Sequence, residues 1–186
     1  MATANLTNFI TSFKTELARP NRFNVLINPP GVLLGSGNYS RQLSFRCETA
    51  ELPGKTFMTH DQKIYGPVEK YPYQHAYNDL NLTFIVSGDM IEKYFFDAWL
   101  TAISPNQSYN FQYKNTYQTT ITINQYDVAD KLVYSVDLIE AYPIAVNQLD
   151  LDWSNDGHHK LVVVFAYTYW NVNTSAQPIQ IGRAHV

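Results

Sequence analysis

Hydrophobic and polar positions alternate through much of the second half of the chain. From Leu149 the sequence runs LDLDWSNDGHHKLVVVFAYTYW to Trp170. Leu149, Leu151 and Trp153 alternate with Gln148, Asp150 and Asp152, which predicts a half-buried strand with one acidic face. Ser154-Asn155-Asp156-Gly157 supplies the positive φ angles of a tight hairpin. Leu161 to Trp170 is β-branched and aromatic almost throughout, as a strand buried on both faces would be. The segment therefore predicts a hairpin that packs on neighbours and lines something.

The same reading extends to the rest of the chain. Leu6, Phe9, Ile10, Phe13 and Leu17 form one helical stripe, capped at Thr3 or Asn5 and ended by Pro20, so a short helix is expected over about 4–18. Phe23, Val25 and Ile27 begin a strand that Asn28-Pro29-Pro30-Gly31 stops. Leu43, Phe45 and Cys47 predict a second strand, with Cys47 as a small core residue. The segment Leu52 to Tyr77 has little periodicity, but five aromatics (Phe57, Tyr65, Tyr71, Tyr73 and Tyr77) argue against disorder. It is expected to be an extended hairpin or arm that orders against another chain. Leu80 to Val86 predicts a strand. A helix over about 90–103 follows, with Asp89 and Glu92 as a capping box and Ile91, Tyr94, Phe95, Ala98 and Ala102 on its apolar face. Further strands are expected at Tyr109 to Lys114, Thr119 to Tyr126, Leu132 to Tyr142 (broken by Ala141-Tyr142-Pro143), Gln148 to Trp153 and Leu161 to Trp170. The expected fold is mainly β: an antiparallel β-sandwich or barrel with one flanking helix and a short N-terminal helix. A β domain over 1–170 would be followed by a polar tail over 171–186.

Composition narrows the function classes. Charged residues make up 16% of the 186 positions and aromatics 15%, with 14 Tyr and 10 Phe. Few charges and many aromatics suit a surface covered by partners. The net charge of −3 argues against direct grip on nucleic acid, which needs clustered Lys and Arg. Cys47 is the only cysteine, a usage that fits a reducing compartment. Met1 to Asn8 lacks the basic and apolar regions of a secretory leader, and the longest apolar run, Leu161 to Trp170, is too short to span a bilayer. The Asn-x-Ser/Thr sequons are then chance matches.

Enzyme signals are thin. The chain has no phosphate-binding glycine loop, G-x-S-x-G or H-E-x-x-H. His158 and His159 are adjacent, would point to opposite faces of a strand, and are read as turn residues. His60 and His75 are expected to face solvent. Asp150 and Asp152 would lie about 6.5–7 Å apart on one strand face. A glycosidase can use such a separation, but its carboxylates normally come from different elements across a cleft. The favoured reading is an acidic solvent or lumen face, with no catalytic, cofactor or metal site.

Four motifs in order carry a resemblance. Ala18-Arg19-Pro20-Asn21-Arg22-Phe23, Phe45-Arg46-Cys47-Glu48-Thr49-Ala50-Glu51-Leu52-Pro53, Asp97-Ala98-Trp99, and Leu149-Asp150-Leu151-Asp152-Trp153 with Tyr169-Trp170 resemble segments of the tail tube proteins of T-even-like contractile-tailed bacteriophages. The chain departs from that pattern in a longer segment over Asn28 to Gln42 and in the tail after Trp170. The resemblance implies hexameric rings stacked head-to-tail inside a contractile sheath, assembled in the host cytoplasm and carried in the virion. DNA would pass through the bore without specific binding. The implied partners are the chain itself, the tail sheath protein, the tape measure protein, and the baseplate and terminator proteins, with no membrane. The arm residues Phe57, Tyr65, Tyr71, Tyr73 and Tyr77 would contact neighbouring subunits, and Gln148, Asp150 and Asp152 would face the lumen. Three alternatives remain: a tube initiator or terminator of the same fold, a carbohydrate-binding or glycosidase β-sandwich, and the tube of a secretion or bacteriocin-like injection system.

Overall fold

Alternating burial builds the framework. The computed structural model describes residues 17–33, 37–63, 65–154 and 156–173, with Gly37 and Asn38 described by backbone alone. In β5 (Leu80–Ile85), Leu80, Leu82 and Phe84 point inward, and in β8 (Lys160–Ala166) Leu161, Val163 and Phe165 do the same. The two strands run antiparallel with Leu82 opposite Val163 and Phe84 opposite Leu161, so their apolar sets meet on one face. β1 (Phe23–Ile27) pairs with β6 (Thr119–Tyr126) in the same way, Val25 opposite Ile123 and Ile27 opposite Ile121.

These pairs join through β7 (Leu132–Val146) into a seven-stranded antiparallel sheet, ordered β1-β6-β7-β8-β5-β2, with β2 at Cys47–Ala50. The first part of β7 pairs with β6 on one side and with β9 (Tyr169–Val172) on the other; its last part pairs with β8. Between them Glu140 has a φ of 58°, and the register with β8 shifts between Pro143 and Ala145. A bulged strand that serves two sheets is how a sandwich turns a corner. The expected break at Ala141-Tyr142-Pro143 is therefore a bend inside a continuous strand, and Pro143, which has no N–H to donate, sits at the irregularity. The corner is tied from outside. Lys114 Nζ donates to Glu140 Oε2 and to Thr168 Oγ1, each at 2.6 Å, and Thr168 Oγ1 donates to Glu140 Oε2 at 2.7 Å. The Lys114 and Thr168 hydrogen bonds hold the Glu140 carboxyl below its usual range.

Several expectations are corrected. Leu161 to Trp170 is not one doubly buried strand: β8 alternates, ends at Ala166, and β9 crosses to the other part of β7. Leu43 to Cys47 is not a strand. Leu43 lies in helix α1 (Gly37–Arg46), buried, while Phe45 is exposed. Three alternating positions are too few to separate the two periods, and Tyr39 and Leu43 also satisfy helical spacing. Ser40 donates to the Ile27 carbonyl and Ser44 to Asn24, fastening α1 along β1. Cys47 opens β2 half-buried against the core, and burial pushes its thiol up to about 12. Tyr109 to Lys114 is an irregular loop, held where Gln112 N–H reaches Ile103 O (3.0 Å), and it leads into the single turn α3 (Lys114–Tyr117). The helix expected over about 4–18 lies outside the described residues except at its last positions, Leu17 and Ala18, which are not helical.

Helix α2 (Ile91–Ile103) lies where expected but is turned by about one residue. It buries Phe95, Phe96, Trp99 and Ile103, and leaves Tyr94 exposed. The largest rings decide the rotation. Phe96 stands 5.1 Å from Phe84 and 6.0 Å from Phe165, and Trp99 stands 6.1 Å from Phe165. Trp99 also donates its indole N–H to Tyr117 O at 2.9 Å. The expected Asp89 cap is absent. Met90 occupies the N-cap at φ 54° without a side-chain cap, and the buried Glu92 instead accepts from Ser87 N (3.0 Å), Ser87 Oγ (3.1 Å) and Arg46. Burial alone would raise the Glu92 carboxyl; the Ser87 and Arg46 hydrogen bonds outweigh it and leave the pKa below the ordinary value.

Two outcomes test this packing. Trp99→Ala should cost about 3–5 kcal/mol in urea unfolding, the range for removing a buried large aromatic. Because the folded pKa of Glu92 is depressed, its stabilisation is present above the unfolded carboxyl pKa (about 4.3) and lost as pH falls through the folded one. Glu92→Gln should therefore lower stability at neutral pH and flatten the acid side of the stability curve. An acid limb as steep as the wild type's would assign the loss to other carboxylates.

Candidate functional site: an exposed aromatic hairpin and an acidic loop

The segment from Thr56 to Ala76 folds back as a hairpin that leaves the body of the sheet. β3 (Thr56–Gln62) and β4 (Glu69–Ala76) pair only with each other, Thr56 opposite Ala76 and Gln62 opposite Glu69. Every residue of β3 and all of β4 but Ala76 is exposed. The expectation of an extended hairpin over 52–77 is met in its backbone. Phe57 lies opposite His75 and Tyr71 opposite His60, and a register shift between Met58 and Thr59 leaves Tyr73 as the extra residue of β4, its hydroxyl 3.8 Å from Met58 Sδ. Tyr73 is 67% and Phe57 56% exposed, and Tyr65 in the connection is fully so. Tyr77 differs: it sits half-buried at the root, 5.9 Å from Tyr167 and 5.4 Å from His75. Lys55 lies over the rings of Phe57 and Tyr77 at 5.2 and 5.8 Å. Along the hairpin, Tyr71 donates to Glu69 (2.5 Å), and that hydrogen bond raises its phenol pKa. A two-stranded ribbon with a wet face on each side is marginal in water, and apolar area of this extent marks an interaction surface.

The second feature is the connection from β7 to β8. The strand expected over Gln148 to Trp153 does not form. Asn147 makes the last ladder-like contacts, its N–H to Val162 O at 3.0 Å and its Oδ1 accepting from Val162 N at 2.8 Å. Beyond it no neighbouring strand takes up the alternation, so the period-2 pattern has nothing to pair with. Leu149 packs half-buried on the core, but Leu151 and Trp153 are 87% and 107% exposed, and Gln148, Asp150 and Asp152 are exposed as well. Leu151 and Trp153 are therefore not structural residues of a closing hairpin. The Asp152 carboxylate accepts from Ser154 N (3.0 Å) and Ser154 Oγ (2.9 Å), which fixes the turn and keeps its pKa low. Asp150 and Asp152 thus do not share a strand face, which removes the geometry a glycosidase reading relied on. His158 is exposed beside the same turn. Among the described residues, no three His, Cys, Asp or Glu side chains come together as metal ligands.

Two surfaces escape the pattern reading. Tyr109, Phe111 and Tyr113 stand out in solvent on the loop after α2. A groove of about 450 Å³ opens beside the β6–β7 turn, lined by Leu17, Tyr126, Val128 and Val133 and, among polar residues, by Gln125 and Asp127. The first lies on a connection and the second joins the 127–131 turn to the ends of β6 and β7 and to Leu17, a meeting of distant segments that alternation does not report.

The comparisons with known proteins agree with this architecture. The family model described as phage tail tube protein matches residues 18–173. The fold is similar to the tube-terminating cap of the anti-feeding prophage, with a TM-score of 0.63 at 16% identity over 85% of this chain and 91% of that one. It is also similar to a chain of the anti-feeding prophage baseplate (0.62, 16%, 85% and 96%) and to one in the sheath-tube complex of an extracellular contractile injection system (0.59, 14%, 91% and 98%). No curated protein sequence matches the chain.

Because the hairpin side chains touch little of their own subunit, Phe57→Ser and Tyr73→Ser should each shift monomer stability by no more than about 0.5 kcal/mol. Urea unfolding in dilute solution measures this, and a loss as large as a core truncation would make the hairpin part of the fold.

Proposed function

The chain belongs to the phage tail tube protein family, and from that membership we propose that it forms hexameric rings stacking head-to-tail into the inner tube of a contractile tail. Proteins of this family are structural components of the virion tail. Among the described residues, no helix is long and apolar enough to cross a membrane.

The observation that carries the ring reading is the hairpin β3–β4. Among the described residues it holds Phe57, Tyr71 and Tyr73 in water on a ribbon with no third strand, and a neighbouring subunit would cover them. In this reading Phe57, Tyr65, Tyr71 and Tyr73 contact the adjacent subunit or ring, and Tyr77 anchors the arm at its root. A contact between unlike surfaces propagates instead of closing on itself, which is what a stacked tube requires. Joining subunits edge to edge also covers the outer edges of β1 and β2.

The bore follows from charge. The chain is net negative, and an acidic lining lets DNA slide because it offers phosphate no counterion to displace. Gln148 and Asp150 are taken as bore-facing, with Asp152 engaged in its own turn. The partners in this reading are further copies of the chain, the sheath and baseplate proteins, a terminator, a tape measure protein in the assembling tube, and DNA in transit. The domain includes all of β9 to Val172, two residues past the boundary at 170 expected from the sequence.

The same fold serves terminating caps, so assembly is the deciding measurement. Concentrated full-length protein should form long tubes under negative stain, and Tyr73→Ser together with Phe57→Ser should leave monomers or separate rings. Wild-type protein that stops at single rings would be a terminator, and protein that stays monomeric would overturn the reading.

A further inference from the structure

Trp153 is the most exposed large apolar side chain among the described residues, on a loop whose turn is pinned by Asp152 and Ser154. A fully solvated indole beside Leu151 on a pinned turn has the form of an interface anchor: large apolar area on a backbone already set before binding. At a separate place on the same chain lies the apolar groove of Tyr126, Val128 and Val133, of a size that takes an indole with room to spare.

The charges around the two features are complementary. Asp150, Asp152 and Asp156 flank Trp153 in sequence. At the groove, Arg22 is tied to Asp130 at 2.5 Å, and Asp127 accepts from the backbone of Ala129 and Lys131. Arg22 offsets Asp130, and Asp127 keeps its charge in the groove. Arg19 and Lys131 of the adjoining segments make no ion pair with another described residue, so the three basic residues outnumber the two carboxylates by one. Gln125, which lines the groove, donates to Arg19 O at 2.7 Å and so places Arg19 at its edge.

We propose that Trp153 of one copy docks into the Leu17–Tyr126–Val133 groove of a second copy, with Asp152 and Asp156 facing that copy's Arg19 and Lys131. Knob and groove are different surfaces of one chain, so the contact is heterologous and repeats from copy to copy. The loop then lies where the bore meets the subunit boundary, Asp150 on one side and Trp153 on the other. The proposal rests on the tube reading but concerns a contact separate from the aromatic hairpin.

The test pairs cysteines across the contact. Full-length Leu151→Cys and Val133→Cys chains, each keeping Trp153, differently tagged and mixed, should form an intermolecular disulfide under mild oxidation. Wild-type protein, with Cys47 alone, sets the background. Trp153→Ala should keep the wild-type melting temperature, since the side chain packs on nothing, and weaken ring association by about thirtyfold, as loss of a buried anchor does. Trp153→Phe should recover most of it. Wild-type rings without the cross-link, or undiminished assembly of Trp153→Ala, would overturn the proposal and leave the tube reading standing. A cross-link within one chain between Phe9→Cys and Val133→Cys would assign the groove to the chain's own N-terminal segment and overturn it too. Wild-type protein that never assembles would refute the tube reading, and the mixed cross-link would still decide the pairwise contact.

Discussion

The structure turns on the corner in β7. One strand of fifteen residues pairs with β6 and β9 before Glu140 and with β8 after it, so a single backbone bend sets the angle between the two halves of the sheet. A non-glycine residue at positive φ is unfavourable by itself and persists only where its surroundings hold it. Here the Glu140 side chain is held by Lys114 from α3 and Thr168 from the β8–β9 link. The same bend makes β8 and β9 two strands rather than one, because the returning chain follows β7 round the corner. It also leaves the concave face that α2 fills with Phe95, Phe96 and Trp99. Corner and helix depend on each other: Lys114 reaches Glu140 from the turn whose Tyr117 carbonyl accepts the Trp99 indole N–H.

A core closed in this way leaves the remaining aromatics outside. Phe57, Tyr65, Tyr73, Tyr109, Phe111, Tyr113 and Trp153 are all largely exposed, on connections or on the detached hairpin and not on the sheet body. With so few charges to balance them, they mark a surface most of which is meant to be covered. The division of labour is physical. Residues inward on the sheet fix the subunit, and residues on its excursions meet other molecules. A substitution on the excursions can therefore leave folding untouched and still abolish assembly.

How much of this was legible depended on whether neighbours in sequence were neighbours in space. β5 and β6 and the first part of β7 read correctly because longer runs of alternation admit one period only, and β1, with three alternating positions, because Pro20 and Asn28-Pro29-Pro30-Gly31 bound it too tightly for a helix. Leu43 to Cys47 failed because three positions fit helix and strand equally, and the packing of Tyr39 on Phe95, 6.5 Å away, chose the helix. That helix begins in the Asn28 to Gln42 region where the chain departs from the motifs of the resembled family and runs on to Arg46, into the second of those motifs. Gln148 to Trp153 failed for the opposite reason: its pattern is a clean strand pattern, but a strand needs a partner, and partners are tertiary facts. The capping box failed because Glu92 found a better donor set in Ser87 and Arg46 than at Asp89. The hairpin succeeded on composition alone, since aromatic density excluded disorder while punctuation excluded a core strand.

The failed strand carries the more general lesson for the surface. Leu149, Leu151 and Trp153 keep the spacing of a buried face, yet only Leu149 reaches the subunit's own core. The two that do not are an unspent apolar face, continuous in sequence with a buried one and flanked by aspartates that keep it soluble in a free subunit. Acidic residues beside an exposed indole would oppose a like-charged neighbour and favour a basic-rimmed one, so the charges that keep the monomer dispersed also select its partner surface. Solubility before assembly and specificity within it are then two consequences of one local sequence, and neither requires the loop to be a strand.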